Sequence, residues 1–345
     1  MTTEPVLSQQ PIRSVPHSGL RFPAISLGLW QNFGASAASE DATALITTAL
    51  DLGVFHLDLA NNYGPPPGAA ESFVGTLLRG SLRAHRDEML LATKAGYRMW
   101  PGPYGEGGSR KYLLSSLDAS LSRLGTDVVD IFYSHRYDPT TPLEETIGAL
   151  ATALAQGKAH YVGISSYSPQ RTREALAIAR DYGIPLSVHQ SSYSLVNRWI
   201  EEPDAQGDSV LSLSNDHDFG VVAFSPLAQG LLTDKYLNHV PSDSRAALSS
   251  SFRPEYLSEE NLRRVRELDS IAQELGLSLA QMAVAWILRD PRVSSVLVGA
   301  RTPAQFRELL HATEAPVLTP DVLIRIDQWA TDAGINLWAQ RSSSL

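Results

Sequence analysis

The chain has 345 residues, 43% of them hydrophobic and 19% charged, with no cysteine, so disulfide scaffolds, Cys-ligated metal sites and thiol nucleophiles are excluded. Twenty-eight Lys and Arg against 37 Asp and Glu give a net charge of −9 without any basic run, which argues against a nucleic-acid partner. No window approaches the ~20 apolar residues of a membrane span and the N-terminus lacks a signal-peptide pattern, so a cytoplasmic protein with no membrane partner is expected.

Residues 12–23, with Ser18-Gly19 between two short apolar segments, predict a hairpin that caps the bottom of whatever follows, and residues 1–11 read as flexible. Eight short apolar runs then recur: 26–30 (SLGLW), 55–60 (FHLDLA), 89–95 (MLLATKA), 128–135 (VVDIFYSH), 160–165 (HYVGIS), 186–191 (LSVHQS), 221–225 (VVAFS) and 296–300 (VLVGA). Near-continuous hydrophobicity suits parallel strands buried on both faces. Between them lie helical spacings. Leu113, Leu117, Leu121 and Leu124 precede a glycine stop at Gly125, Ser168-Pro169 caps a helix closed by Gly183, and Ser278 with Gln281 has capping-box spacing before a helix that ends ahead of Pro291. The alternation predicts one α/β domain, a (β/α)8 TIM barrel with an N-terminal hairpin cap, with a doubly wound sheet as the competing architecture. Residues 226–256 are too long for a plain strand-to-helix connection, which marks them as functional or disordered. A weaker helical pattern covers 322–329, and the polar end of the chain reads as peripheral.

Catalytic groups in such a barrel sit where strands end. The second run carries Asp58, with Tyr63 just beyond, the third carries Lys94, and the fourth ends in His135. Each alone also reads as an ordinary cap, loop aromatic, strand end or core histidine. Together they suit reduction of a carbonyl. A hydride arriving at carbon leaves an alkoxide that needs a proton, and Tyr63 can give one if its pKa, normally ~10, is lowered. Lys94 is expected to lower it, Asp58 to hold Lys94 charged, and His135 to hydrogen-bond the carbonyl oxygen. The nine histidines show no HExxH or similar spacing, so no metal site is expected.

This Asp-Tyr-Lys-His set on a barrel resembles the aldo-keto reductases, over roughly residues 12–335, leaving 1–11 and 336–345 as flexible or peripheral termini. LDLANNYGPPPG from Leu57, TKAGYRMWPGPYG from Thr93, YSHRYD from Tyr133, GKAHYVGISSYSP from Gly157 and FSPLAQGLLTDKY from Phe224 are similar to the bacterial L-glyceraldehyde 3-phosphate reductases, relatives of potassium-channel β subunits. The resemblance implies NADPH-dependent reduction of small aldehydes, L-glyceraldehyde 3-phosphate or methylglyoxal-like carbonyls, and a homo-oligomer, tetramer or octamer.

The chain has no G-x-G-x-x-G opening a βαβ unit, so a Rossmann site is not expected. The resemblance instead lays NADP(H) across the barrel rim. Phe224 would stack on the nicotinamide, with Ser165 and Gln190 as carboxamide ligands beside Asp58 and Trp30. Ser225, Pro226, Leu227, Gln229 and Gly230 would follow the pyrophosphate with Lys235 and Arg245 as basic clamps. Gly299, Arg301, Gln305 and Glu308 would hold the adenosine end, with Arg301 on a 2′-phosphate. Two positions depart from the family pattern: Ser166 stands where Asn is common, and so does Leu309.

On the substrate side Trp30, Trp100, Tyr104 and Tyr137 offer aromatic walls near Tyr63 and His135. Ser109-Arg110-Lys111 at a helix start is expected to bind an anion such as an aldehyde's phosphate. Two other functions remain open at this stage. One is a Schiff-base lyase using Lys94, and the other is a nucleotide-sensing subunit like the channel β subunits.

Overall fold

The computed structural model describes residues 10–31, 33–34, 39–237 and 254–334. Eight strands close into a parallel barrel: β3 (Ile25–Gly28), β4 (His56–Asp58), β5 (Leu90–Ala95), β6 (Val129–Ser134), β7 (Ala159–Ser165), β8 (Val188–Ser192), β9 (Gly220–Phe224) and β10 (Val293–Val298). β10 returns to pair with β3. The chain is therefore a (β/α)8 TIM barrel, and the doubly wound alternative is set aside.

Strand alternation divides the apolar residues into two cores. Residues facing outward, such as Leu57, Leu91, Phe132 and Val162, pack under the surrounding helices, while Leu90, Ala92, Ile131, Val188, Val222 and Leu297 face inward. The inward set is completed from below by Val15, Leu20 and Phe22. Phe22 lies in β2 (Arg21–Pro23), and Val15 and Leu20 in the turn that joins it to the antiparallel β1 (Ile12–Ser14), the expected floor hairpin. Pro11, one residue before the expected start of the hairpin, is already tied to it, its carbonyl accepting from the Ala24 N–H at 2.8 Å. Residues 1–9 and 335–345, where flexible termini were expected, lie outside the described residues.

The helices begin where the sequence places caps. Ser109 accepts from the Tyr112 N–H at the head of α3 (Arg110–Leu124), and Gly125 ends that helix in the left-handed region at φ 68°. α5 (Pro169–Asp181) starts on Ser168-Pro169, and the helix Leu279–Leu288 carries the full Ser278/Gln281 capping box. Around the same half of the barrel stand α1 (Ser39–Asp51), α2 (Ala69–Arg79) and α4 (Leu143–Ala155). The 322–329 pattern forms a helix over Pro320–Asp327. Of the long 226–256 connection, residues 226–237 and 254–256 are described, as short 3-10 turns. Among the described residues no single helix is long and apolar enough to cross a membrane.

One strand is displaced from its expected place. The last strand is Val293–Val298 rather than 296–300. Ser294 and Ser295 interrupt the apolar run, yet both are buried, and the Ser295 hydroxyl bonds Ser26 Oγ at 2.6 Å and the Pro23 carbonyl at 2.7 Å.

Candidate active site

The upper ends of β4, β5 and β6 bring Asp58, Lys94 and His135 to one rim. Register pairs Asp58 with Ala92 and Lys94 with Tyr133. Ladder-like bonds continue past β4, from Leu59 N–H to the Ala92 carbonyl and from Asn61 N–H to the Lys94 carbonyl, both at 2.9 Å. A turn then closes with Tyr63 N–H on the Ala60 carbonyl, and Gly64 N–H reaches the Trp30 carbonyl. That sequence of bonds hangs Tyr63 over Lys94.

Lys94 and Asp58 are both buried. Lys94 Nζ donates to Asp58 Oδ2 at 2.7 Å and to the Leu59 carbonyl at 2.6 Å, and lies 4.9 Å from the centre of the Tyr63 ring. Gln190 Nε2, from β8, donates to the other Asp58 oxygen at 2.8 Å. Burial pushes the Asp58 carboxyl up and the Lys94 ammonium down, and their contact opposes both movements. The ammonium is thus committed to a carboxylate, which argues against Lys94 as a Schiff-base nucleophile.

The Tyr63 hydroxyl departs from expectation. Its pKa is raised well above 10, first by burial and then by Asp58 and Tyr97. Burial outweighs the expected lowering by Lys94, whose hydrogen bonds go to Asp58 and Leu59 rather than to the phenol. Tyr63 therefore keeps its proton at neutral pH. His135 is held well below the usual histidine range by burial, with Lys94 and Arg136 adding to it, and is neutral. Its Nδ1 is buried without a hydrogen-bond partner. The His135 ring meets Tyr63 at 5.8 Å and Tyr97 at 4.6 Å, both edge to face.

A cleft of about 1120 Å³ runs from this group across the rim. Asp58, Tyr63, His135, Ser165 and Gln190 line one end. Phe224, Ser225, Pro226, Leu227, Gln229, Gly230, Lys235, Gly299, Arg301, Gln305 and Glu308 also line the cleft. Arg245 lies outside the described residues. The 225–229 segment is strained: Ser225, Ala228 and Gln229 all take positive φ, at 55°, 47° and 59°. Such backbone costs of order 1 kcal/mol or more per residue and gathers at ligand sites. Gln229 Oε1 is also buried with no partner. A Cβ at Gly299 would meet only the Gly28 carbonyl, at 3.9 Å. A cleft of this volume, lined by aromatic rings, hydrogen-bonding side chains and the cations Lys235 and Arg301, fits a phosphorylated dinucleotide. Ser166 is left-handed too, at φ 59°, a conformation that the Asn common in the family tolerates better.

The substrate side is rearranged. Trp30, Tyr63 and His135 line the cleft, but Trp100, Tyr104, Tyr137 and Arg110 do not. Trp100 packs on Tyr112 at 5.5 Å, Lys111 sits over Tyr104, and Tyr137 packs on Tyr167. The Arg110 guanidinium donates to the Gly148 carbonyl at 3.0 Å, and its backbone N–H takes Glu145 Oε1 at 2.9 Å. The expected anion site at the start of α3 is therefore filled by α4, whose approach no local reading of 109–111 reveals. In place of these residues Tyr97 and Phe33 line the cleft. Tyr97 stands three residues after Lys94, which was the available signal. The cleft also takes Asp269 and Gln273 from a distant helix, for which the sequence carries no chemical signal.

Similarity to known proteins agrees with this geometry. The chain is 51% identical over 338 residues to "L-glyceraldehyde 3-phosphate reductase" of Escherichia coli (strain K12), covering 97% of this chain and 96% of that protein. It is 38% identical over 323 residues to "Probable voltage-gated potassium channel subunit beta" of Oryza sativa subsp. japonica, covering 91% and 95%. The Arabidopsis thaliana protein of the same description is 37% identical over 92% of this chain. Residues 24–331, which span the whole barrel and every rim residue above, match the Aldo/keto reductase family. The chain belongs to that family, and with it to the oxidoreductases.

Proposed function

We propose that the protein reduces small aldehydes to alcohols with NADPH, and that L-glyceraldehyde 3-phosphate is among its substrates. The observation that carries the reading is the buried Lys94–Asp58 pair directly beneath Tyr63 and beside neutral His135, at the end of a cleft sized for a dinucleotide. The similarity to the bacterial reductase supports the substrate.

NADPH, when bound, supplies the hydride. Neutral His135 donates a hydrogen bond to the carbonyl oxygen and orients the aldehyde between Trp30 and Tyr97. As the carbonyl carbon is reduced, its π pair moves to oxygen and Tyr63 passes its hydroxyl proton there. An alkoxide is a far stronger base than a phenolate, so the transfer runs downhill even from a raised phenol. The Lys94 ammonium, held by Asp58 and the Leu59 carbonyl, stabilises the phenolate left behind. Gln190 fixes Asp58 from across the barrel. Arg301 and Lys235 would hold the cofactor's phosphates, which favours NADP(H) over NAD(H).

Loss of NADPH absorbance on adding L-glyceraldehyde 3-phosphate, methylglyoxal or other short aldehydes tests the proposal, and absence of turnover across the panel overturns it. A second reading, a nucleotide sensor, is favoured by the identity to channel β subunits, and cofactor retained without turnover is its signature. A cytoplasmic location, and assembly as a tetramer or octamer, supported by the family resemblance, belong to the same proposal. Light scattering at micromolar concentration that returns a monomer overturns the second of these.

A further inference from the structure

Outside the barrel wall, on the far side of β5 from the rim chemistry, lies a carboxylate that the reaction above does not use. Glu71, in the first turn of α2, is fully buried. Its Oε1 accepts from Thr93 Oγ1 at 2.5 Å and its Oε2 from Arg123 Nε, on α3, at 2.7 Å. Thr93 and Lys94 are successive residues of β5, so one faces the helices and the other the barrel interior. The helices can meet this closely because position 75 is glycine: a Cβ there would stand 2.0 Å from the Arg123 carbonyl oxygen.

The ion pair is lopsided. Arg123 is 23% exposed whereas Glu71 is closed off from water, so solvent screens the cation more than the anion. The negative charge of Glu71 favours the Lys94 ammonium, after the larger attraction and hydrogen bond of Asp58. Lys94 is otherwise faced by Asp58 and His56 from β4, Tyr63 from the following loop, and Tyr133 and His135 from β6. Burial keeps both histidines and both tyrosines neutral. Asp58 and Glu71 are therefore the two carboxylates that act on Lys94, Asp58 by contact and Glu71 through the strand.

We propose that Glu71 is a positioning residue for the reduction: through the Thr93 hydroxyl it fixes the end of β5 that carries Lys94, and its carboxylate supports Asp58 in holding the Lys94 side chain beneath Tyr63. The inference rests on the reductase reading. A carboxylate with a merely structural task is available for contrast on the same strand. Asp130 accepts from the Leu91 N–H at 2.7 Å and pairs with Arg86 at 2.9 Å, at the opposite end of β5 from Lys94.

The chain has four lysines, Lys94, Lys111, Lys158 and Lys235, so ¹³C-labelled lysine side chains give an NMR titration in which Lys94 is identified by its loss in Lys94→Met. In Glu71→Gln the Lys94 titration moves down by a few tenths of a pH unit, less than the ~1–3 units that loss of an opposite charge in direct contact gives. The basic limb of kcat for aldehyde reduction moves with it while KM stays near the parent value. Asp130→Asn loses stability without moving either. If Glu71→Gln does not fold, the double variant Glu71→Gln/Arg123→Gln removes both charges, and the downward shift is then smaller, because only the part of the Glu71 charge that Arg123 leaves uncancelled is lost. A Lys94 titration that coincides in parent and variant, or that Asp130→Asn shifts equally, overturns the inference. A shifted titration in a protein that turns over no aldehyde keeps the hold of Glu71 on Lys94 but overturns the reductase reading, and with it the role of Glu71 in reduction.

Discussion

Gln190 Nε2 donates to Asp58 Oδ1 at 2.8 Å across the mouth of the barrel, joining residues 132 positions apart. With Lys94 on the other oxygen, both sides of the Asp58 carboxylate are occupied, so its orientation is fixed before any ligand arrives. The rim is preorganised in this sense: the charged pair and its supports need no rearrangement to act.

Tyr63→Phe removes the proton donor and leaves the cleft otherwise unchanged. Aldehyde reduction is expected to fall by ~10²–10⁴-fold, the usual worth of a general acid. NADPH affinity, followed by protein fluorescence, stays near that of the parent. A variant with parent turnover removes Tyr63 from its role.

Arg301→Ala separates the two nicotinamide cofactors. If its guanidinium reads a 2′-phosphate, the Kd for NADPH rises roughly ten- to a hundredfold and that for NADH hardly moves. Titration of both cofactors against the variant checks this, and equal losses show that the phosphate is read elsewhere.

Arg110→Ala gives the opposite result from the one its helix-start position suggests. Its guanidinium is spent on the Gly148 carbonyl and its backbone N–H on Glu145. The KM values for L-glyceraldehyde 3-phosphate and for uncharged methylglyoxal are both expected to stay within about twofold of the parent's. A selective rise for the phosphorylated aldehyde restores Arg110 as an anion reader.

Buried histidines set the acid side of stability. His56 and His189 are each held down at about 3 by burial, and His135 lies well below its ordinary value too. Between about pH 6.5 and 3 the unfolded chain binds protons that the folded chain refuses, so stability rises with pH through that window and is lost as pH falls. Each such histidine contributes up to ~1.4 kcal/mol per pH unit to the slope. Denaturant unfolding at pH 7, 6 and 5 should show the decline, and kcat should show no histidine limb near pH 6.5. Constant stability from pH 7 to 5 contradicts the burial of these rings as neutral groups.

The barrel was legible because each strand announces itself locally, as an apolar run ended by a turn. What failed was whatever depends on a partner distant in sequence. Ser294 and Ser295 do not look like strand residues until Ser26, 269 positions away, takes the hydroxyl of Ser295. Arg110 looks like an anion site until Glu145 and Gly148 arrive from α4. The candidate tetrad was readable from its place at strand ends. The raised phenol of Tyr63 was not, since burial by several elements decides it. Glu71 reads as an ordinary acid at a helix start, and only its contact with Thr93 ties it to Lys94.

Arg13, in the floor hairpin, donates to the carbonyls of Leu288, Asp290 and Val293. Its partners are 275 to 280 residues further along the chain. During synthesis at ~5–20 residues per second, that distance means a wait of roughly 15–55 s between the appearance of the floor and of the residues that lock it. Phe22 and its neighbours have no finished interior to enter until β10 leaves the ribosome. The closing ring is therefore a late event in the life of each molecule, and a nascent chain halted before Val298 exposes the apolar lining that the mature protein hides.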